Sequence, residues 1–305
     1  MAFDRLEAMR AFCRIVEVGS FSRAAQSLNL AKTTVSGQVQ ALEHLLGVKL
    51  LHRTTRKVSA TAEGTAYYRR ARAVLEDVNE LEASVSRSRN AIRGHVKIEM
   101  PSPVGSLLIG PSLPDFASCF PQIHLEISCD ERIVDLVEEG VDCAIRVGQV
   151  SDQNLICRPV GLMRYCLCAS PAYLAATTVI ARPADLAGHT HLGFKFPATN
   201  RRHLPTLTRG NEQFILDQLP TMYFNNGGTA TAATVAGLGV AFVPRAEAAM
   251  HLQGGSLVEV LPDWHMESLP VSLVYPPTRD LSVRVRAFSD WATALMAGNP
   301  LWALE

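Results

Sequence analysis

Residues 32–40 hold polar side chains whose types and spacing suit hydrogen bonding to the edges of nucleic-acid bases. A glutamine pairs bidentately with adenine, a threonine methyl contacts a thymine methyl, and a lysine reaches a guanine edge or a phosphate. The predicted base-contacting residues, all near the start of one helix pattern, are Lys32, Thr33, Thr34, Ser36 and Gln38. Each of them taken singly is as readily a solvated surface residue, so the cluster is the signal. Gln40 is the weakest candidate because its side chain is expected to point sideways.

A basic cluster, Arg53, Arg56 and Lys57, follows that helix pattern. It falls in residues 49–60, which are expected to form a two-stranded wing, and its cations suit phosphates, which position a protein without reading sequence. Residues 1–93 carry fifteen Lys and Arg against nine Asp and Glu, whereas the remainder carries fourteen against twenty. A basic region on an acidic body fits contact with nucleic-acid phosphates at one end of the chain. Chance scatter of surface charge is the alternative.

Two short helix patterns that meet at a tight corner are expected to position these residues. A first helix covers residues 4–18, and Ser22 is expected to cap the next one. The following helix covers residues 33–46, and its apolar positions recur every three or four residues: Val35, Val39, Leu42 and Leu46. This layout predicts a helix-turn-helix, whose second helix enters the major groove of DNA. The pattern of residues 61–89 then predicts one long helix. Its apolar stripe must pack either against a partner chain or against the rest of the same chain.

A second group of candidate residues lies where predicted strands give way to helices after residue 95. Helix N-termini suit a carboxylate or phosphate, and ligands of open α/β sheets bind beyond the carboxyl ends of strands. The predicted ligand-binding residues at two such corners are Ser102, Pro103, Val104, Asn225 and Thr229. Weaker lining candidates are Arg146, Val147, Phe194 and Asp130. The alternative is that Ser102 and Thr229 only cap their helices.

From residue 95 onwards the pattern alternates strands and helices, which predicts mostly parallel sheets covered by helices. Residues 133–138 are expected to form one of these helices. Three histidines, His189, His191 and His203, stand near Arg201 and Arg202 in a stretch that reads as a loop. We expect them on solvated surface, with contact to an anionic ligand as the alternative.

Several functional classes lack their motifs in this chain. No Gly-x-Ser-x-Gly elbow, P-loop or His-Glu-x-x-His occurs, and the glycines of Gly237-Leu-Gly239 follow a helix where a dinucleotide fingerprint needs a strand first. We expect no catalytic residues, metal or cofactor. The seven cysteines are irregularly spaced, no secretory signal or membrane span is evident, and the chain reads as cytoplasmic with reduced thiols. Cys166 and Cys168 are expected on one face of a strand, as small core residues.

The N-terminal sixty residues also resemble the LysR-type transcriptional regulators. The matching residues, in order, are Leu6, Phe12, Gly19-Ser20-Phe21-Ser22, Ala24-Ala25, Leu28, Val35-Ser36, Leu42-Glu43, Leu46-Gly47-Val48, Leu50-Leu51, Arg53-Thr54 and Thr61-Ala62-Glu63-Gly64. Two departures concern DNA contact: Gly37 stands where members often carry Arg, and Ala31 where many have Ser.

The resemblance implies an α/β protein with an N-terminal winged helix-turn-helix (all-α with a small wing), a long linker helix and a C-terminal two-lobed effector domain. That domain is α/β and of the periplasmic-binding-protein-like type 2. The implied boundaries are 1–60 for the DNA-binding domain, 61–90 for the dimerisation helix and 91–305 for the effector domain. Its first lobe would cover 94–163 and 268–305, and its second lobe 164–267.

The implied function is sequence-specific, effector-modulated transcriptional regulation. The implied partners are double-stranded DNA, a small-molecule effector (an organic anion is one candidate), RNA polymerase and further copies of the chain in a homodimer or homotetramer, without a membrane. Two other functions compete with this one. An enzyme could be built on the C-terminal domain, although the missing motifs count against it. A constitutive architectural DNA binder would leave the two lobes unexplained.

Overall fold

The computed structural model describes residues 3–53, 58–85, 92–150, 152–195, 205–277 and 281–304. Within these ranges, the side chains of residues 53, 76, 77 and 79–85 are not described. The chain folds as two compact units, residues 1–94 and residues 95–305. In the described part of the chain, no helix is both long enough and apolar enough to cross a membrane.

The first unit is helical, with one small hairpin. Its elements are α1 (Arg5–Val18), α2 (Phe21–Ser27), α3 (Lys32–Leu46), β1 (Leu51–Arg53), β2 (Val58–Ala60) and α4 (Ala62–Val85). The predicted cap at Ser22 is wrong, because Ser20 has the extended backbone of an N-cap and its hydroxyl accepts from the Arg23 N–H. Ser22 is consequently the second residue inside α2. The wing strands β1 and β2 pair antiparallel.

Small and apolar side chains of these helices form the core of the first unit. Phe12 and Ile15 from α1 are fully buried, and Ala24 from α2 leaves room for close helix crossing. Val35, Val39 and Leu42 of α3 join the same cluster. The buried face of α3 therefore fixes which of its side chains point outwards.

The second unit alternates strands and helices. Its strands are β3 (Gly94–Met100), β4 (Ile123–Cys129), β5 (Cys143–Val147), β6 (Ile156–Met163), β7 (Tyr165–Ala169), β8 (His191–Phe194), β9 (Thr206–Arg209), β10 (Glu212–Ile215), β11 (Met222–Phe224), β12 (Val240–Pro244), β13 (Val258–Glu259), β14 (His265–Met266) and β15 (Leu269–Tyr275). Its helices are α5 (Ser102–Val104), which continues through a π-helical turn (Gly105–Ile109) into α6 (Gly110–Cys119), α7 (Pro171–Ala175), a 3-10 turn (Pro183–Gly188), α8 (Gly227–Val235), α9 (Arg245–Gln253) and α10 (Val283–Ala297).

Two five-stranded sheets organise the second unit. The first sheet has the order β4-β3-β5-β15-β6 and the second β11-β8-β12-β7-β13, beside a three-stranded sheet β10-β9-β14. Strand β3 is parallel to β5, whereas β15 is antiparallel to both β5 and β6. In the second sheet, β8 is parallel to β11 and β12, but β7 is antiparallel to β12 and β13. The sheets are therefore mixed, and the prediction of mostly parallel sheets is wrong.

Two smaller features of the second unit bear on the sequence predictions. Residues 133–138 form no helix but an irregular stretch and a turn, in which the Asp135 carboxylate accepts from the N–H groups of Val137 and Glu138. Cys166 and Cys168 lie on one face of β7, both buried, with their Sγ atoms 3.5 Å apart. They are core residues, as predicted.

Candidate DNA-binding surface and ligand cavity

The first turns of α3 present the polar residues predicted to contact DNA. Lys32, Thr33 and Thr34 are exposed, whereas Ser36 and Gln38 are half-buried. The Gln38 Oε1 atom is buried and has no hydrogen-bond partner within the described residues. Gln40 is exposed on the third turn. The exposed side chains of Lys32, Thr33 and Thr34 lie outside the core formed by the apolar residues of α3, which is the arrangement a recognition helix needs.

Both departures from the family pattern lie on this helix. Ala31 occupies the N-cap of α3 and provides no side-chain hydrogen bond to the first helical N–H groups. Gly37 is exposed in mid-helix, and a Cβ atom added there would meet no atom within 4 Å. A side chain that begins with a Cβ atom therefore meets no steric conflict at its base at position 37.

The carboxylate of Glu43 joins α3 to the wing. It is 3% exposed, and its Oε1 accepts from the Leu50 N–H at 3.0 Å and the Leu51 N–H at 3.3 Å. Its Oε2 lies 3.2 Å from the Lys49 ammonium, which is solvent-exposed. This role of Glu43 is not evident from the sequence, since a glutamate in a helix is usually a solvated residue.

The wing is described only in part. Arg53 ends strand β1, but its side chain lies outside the described atoms, and Arg56 and Lys57 lie outside the described residues. Behind the wing, the Thr61 hydroxyl accepts from the Gly64 N–H at 2.9 Å and so caps α4. A Cβ atom at Gly64 would lie 2.0 Å from the Leu50 carbonyl oxygen, so this close approach requires glycine.

A cavity of about 120 Å³ opens between the two five-stranded sheets of the second unit. That volume holds several waters or one compact organic molecule. The predicted residues that line it are Pro103, Asp130, Arg146, Val147 and Phe194. Four other predicted residues are absent from its lining: Ser102, Val104, Asn225 and Thr229.

The four predicted residues outside the lining range from fully buried to exposed to solvent. Val104, the last residue of α5, is fully buried. Ser102 lies between two prolines that do line the cavity. Asn225 and Thr229 are exposed. The cap of α8 is instead Asn226, whose Oδ1 accepts from the Thr229 N–H at 3.0 Å.

Among the described lining residues, Arg146 is the one with a permanently positive side chain. It is 8% exposed and lies 3.8 Å from the Glu99 carboxylate, and it donates to the Val134 carbonyl at 3.3 Å. Burial lowers the pKa of Arg146, and the Glu99 carboxylate opposes that change. Burial in turn raises the pKa of Glu99. The guanidinium is therefore already paired inside the protein.

Several lining residues were not predicted as ligand contacts. His191 was expected on a solvated loop, but it belongs to β8 and is 3% exposed, with neither ring nitrogen bonded within the described residues. Burial lowers its pKa to about 4, so the imidazole is neutral at physiological pH. His189 is also buried, against the hydroxyls of Tyr173 and Thr178, whereas Arg201, Arg202 and His203 lie outside the described residues.

Glu131 and Tyr165 complete the polar lining. The Tyr165 hydroxyl donates to the Met163 sulfur at 3.3 Å, and burial raises its pKa. Neither residue belongs to a sequence motif. Each lines the cavity only because the two sheets pack close to each other. The sequence signal for Glu131 was its position two residues after the last residue of strand β4.

Comparison with known proteins identifies the family. Residues 6–65 match the bacterial regulatory helix-turn-helix protein, lysR family, and residues 89–297 match the LysR substrate binding domain. The chain is 37% identical to the HTH-type transcriptional repressor PA14_22550 of Pseudomonas aeruginosa, over 97% of this chain and 94% of that one. It is 38% identical to the regulator YhjC of Escherichia coli, over 96% and 98% of the two chains.

Solved structures agree in fold as well as in sequence. The structure of CrgA, a LysR-type transcriptional regulator from Neisseria meningitidis, superposes with a TM-score of 0.61 at 29% identity, over 94% of this chain and 97% of that one. These findings confirm the predicted fold class. The chain therefore belongs to the LysR family of transcriptional regulators, with a helix-turn-helix DNA-binding region and a substrate-binding domain.

Proposed function

We propose that this regulator contacts double-stranded DNA through the first turns of α3 and the basic wing, while a small molecule in the cavity of the second unit modulates that binding. The observation that carries the proposal is His191, a neutral, buried imidazole that lines the cavity with both nitrogens unbonded within the described residues. Buried polar groups normally have a partner. A bound ligand would supply it.

The DNA-binding part of the proposal rests on the outward face of α3. Lys32, Thr33 and Thr34 are exposed at the N-terminal end of the helix, from which side chains reach base edges in the major groove. The basic residues of the wing, Arg53, Arg56 and Lys57, are assigned to phosphates. Base contacts would set the target sequence, and phosphate contacts would set the orientation and the dependence on salt.

The regulatory part rests on the position of the cavity between two sheets. A ligand that touches both sheets stabilises one arrangement of them over another, and it shifts the population only if its affinity for the two arrangements differs. The lining includes Arg146 and Val147 at the end of β5 and Phe194 at the end of β8. A molecule bound there contacts both sheets at once.

The assembly proposed for this chain is a homodimer or homotetramer, with RNA polymerase as a further partner and the cytoplasm as its compartment. Helix α4 has 24 residues, of which Ala71 and Leu75 are buried in the first unit while Val74 is left exposed. A helix of this length with apolar positions outside the core suits pairing with a second copy.

We also propose that the second unit binds its ligand without converting it. Nucleophilic catalysis needs a nucleophile hydrogen-bonded to a base. The lining histidine, His191, makes no such bond to any described residue. Incubation of the full-length protein with ligands found to bind it, followed by mass spectrometry of those ligands, should show no conversion.

The regulatory proposal is tested by filling the cavity. Val147→Phe places a ring in the space lined by Val147, and Val137→Phe adds the same ring at an exposed position of the same unit, outside the lining. We expect small molecules that change the DNA affinity of the wild type and of Val137→Phe to have no effect on Val147→Phe. DNA binding by ligand-free Val147→Phe shows that this variant folds. An undiminished response of Val147→Phe would place the effector elsewhere.

A further inference from the structure

Two helix beginnings meet at the cavity of the second unit. Helix α5 begins at Ser102 and helix α8 at Gly227, and these two helices approach each other across the gap between the sheets. From the sequence, such ends would receive the carboxylate of an organic anion. The structure shows that each end already has a carboxylate of the chain beside it.

The carboxylate at the α5 end belongs to Glu131. The backbone N–H and the hydroxyl of Ser102 both face it and oppose part of the rise in its pKa. Burial is the larger influence, and the pKa of Glu131 is raised overall. Its Oε1 atom is buried and has no hydrogen-bond partner within the described residues, although Glu131 lines the cavity. The Ser102 N–H, which would have bound a ligand carboxylate, thus faces Glu131.

The carboxylate at the α8 end belongs to Glu247. It accepts from the Thr231 hydroxyl at 3.2 Å, and a Cβ atom on Gly227 would lie 3.1 Å from its Oε2. Burial raises the pKa of Glu247, and the charge of Glu131 raises it further. The two glutamates are therefore close enough for their like charges to repel, with Glu131 in the lining and Glu247 beside Gly227, which also lines the cavity. Asn226 meanwhile bonds the N–H of Thr229.

No described lining residue offers a free positive charge to offset these carboxylates. Arg146 is paired with Glu99 at 3.8 Å, and His191 is uncharged because it is buried. Asp130 adds a further acidic side chain to the lining. Arg201 and Arg202 lie outside the described residues.

The remaining lining is apolar and aromatic. The rings of Phe194, Phe242 and Tyr165 border the cavity, together with the aliphatic side chain of Leu192. Aromatic faces attract cations, most strongly where water is excluded. His191 adds a neutral donor and acceptor that is 3% exposed and unbonded within the described residues.

We propose that the effector is a compact apolar molecule that carries a protonated amine, and not a carboxylate. The amine donates to the Glu131 Oε1 atom, a second polar group pairs with His191, and the apolar body lies against Phe194 and Phe242. An ammonium offsets the charge of Glu131, which already has the acidic side chains of Asp130 and Glu247 as neighbours, whereas a carboxylate ligand would add a further negative charge. This inference rests on the proposed function, since it names the chemical class of the effector at that same cavity.

The test compares ligands that share a body and differ in head group: 2-phenylethylamine, 2-phenylethanol and phenylacetate. Each is added at about 10 mM, at equal ionic strength, to the full-length protein, and the Tm is recorded because a ligand that binds only the folded state raises it. We expect the largest rise with the amine, a smaller one with the alcohol and none with the carboxylate. Calorimetry should give a Kd for the amine that is at least about tenfold lower than that for the carboxylate.

Glu131→Gln keeps the size of the side chain and removes its charge, so it should weaken binding of the amine about tenfold and leave the alcohol almost unchanged. Glu138→Gln removes a charge at an exposed position of the same unit and is the matched control. A single cooperative thermal transition and DNA binding without ligand establish that both variants fold. Equal amine binding by the two variants would overturn the proposal.

Two other outcomes overturn different parts of the account. A carboxylate that raises the Tm as much as the amine, or changes the DNA affinity where the amine does not, overturns the amine assignment and leaves effector control standing. No response in Tm or DNA affinity to any of the three head groups overturns the amine assignment and counts against the proposed cavity function as well.

Discussion

The Glu43 carboxylate of α3 accepts a hydrogen bond from the Leu50 backbone N–H at 3.0 Å, directly before the first strand of the wing. One buried side chain thus links the two elements that are proposed to contact DNA. A change in the orientation of the wing relative to α3 would break this bond and the one to Leu51. The recognition helix and the wing of this unit are therefore expected to act as one rigid surface.

Loss of the Glu43 carboxylate should destabilise the first unit. Glu43→Ala leaves the buried N–H groups of Leu50 and Leu51 without this acceptor, and each lost bond costs about 1–3 kcal/mol. Lys49→Ala removes only the exposed half of the ion pair, whose side chain is 78% exposed, so it should cost less than about 1 kcal/mol. Urea unfolding of the two variants measures the difference. Equal losses would mean that the buried bonds contribute little.

Ala31→Ser should stabilise α3. Ala31 has the extended backbone of an N-cap but no side-chain acceptor, and a serine hydroxyl there would accept from the N–H groups of the first turn. We expect a gain of about 1 kcal/mol in the free energy of unfolding. Ala31→Val, which has no acceptor either, should show no gain. A serine variant no more stable than the valine variant would contradict the cap geometry.

Gly37→Arg should increase affinity for DNA of any sequence. The position is exposed and free of steric conflict, and an arginine beside the proposed DNA contacts would add about one phosphate contact. The affinity should then fall more steeply with salt, by about one unit in the logarithmic slope. Gly37→Ala gives the same gain in helix propensity, about 1 kcal/mol, without the charge. If the alanine variant changed DNA affinity as much, charge would not be the cause.

His191 should make the protein acid-sensitive. The unfolded histidine takes up a proton near its ordinary pKa of about 6.5, whereas burial lowers the folded pKa to about 4. Protonation therefore favours the unfolded chain, and stability that is complete above the unfolded pKa is lost as the pH falls towards about 4. The loss amounts to roughly 3 kcal/mol at most. The free energy of unfolding of the wild type and of His191→Asn, measured against pH, should differ in slope across this window. Identical slopes would count against a buried, neutral histidine.

The helices of the first unit could be predicted closely because their signals are local. Apolar spacing placed α3 one residue from its observed start, and Gly47 ends it in a left-handed conformation. The error at Ser22 has a local cause too: Ser20 and Ser22 both suit a cap, and only the extended backbone at Ser20 decides between them.

The cavity was predicted less well because its lining depends on how the two sheets approach each other. Arg146 and Phe194 follow the strand-end rule and were found. Glu131, in an irregular segment, was not predicted, and His191, which begins β8, was expected on a solvated loop, with contact to an anionic ligand only as the alternative. The mixed strand directions also depend on long-range pairing. Strand β15 joins the first sheet only after the chain has passed through the second sheet, and local sequence does not show that return.

The most direct test of the account is the binding of the full-length protein to the DNA upstream of its own gene, compared with scrambled DNA of equal length, at low and at moderate salt. We expect the preference for the native DNA to survive at moderate salt, because base contacts by the first turns of α3 are less sensitive to salt than phosphate contacts. Thr33→Ala combined with Thr34→Ala should reduce that preference and leave binding to scrambled DNA unchanged. Equal binding to both DNAs that disappears with salt would contradict base reading at this site.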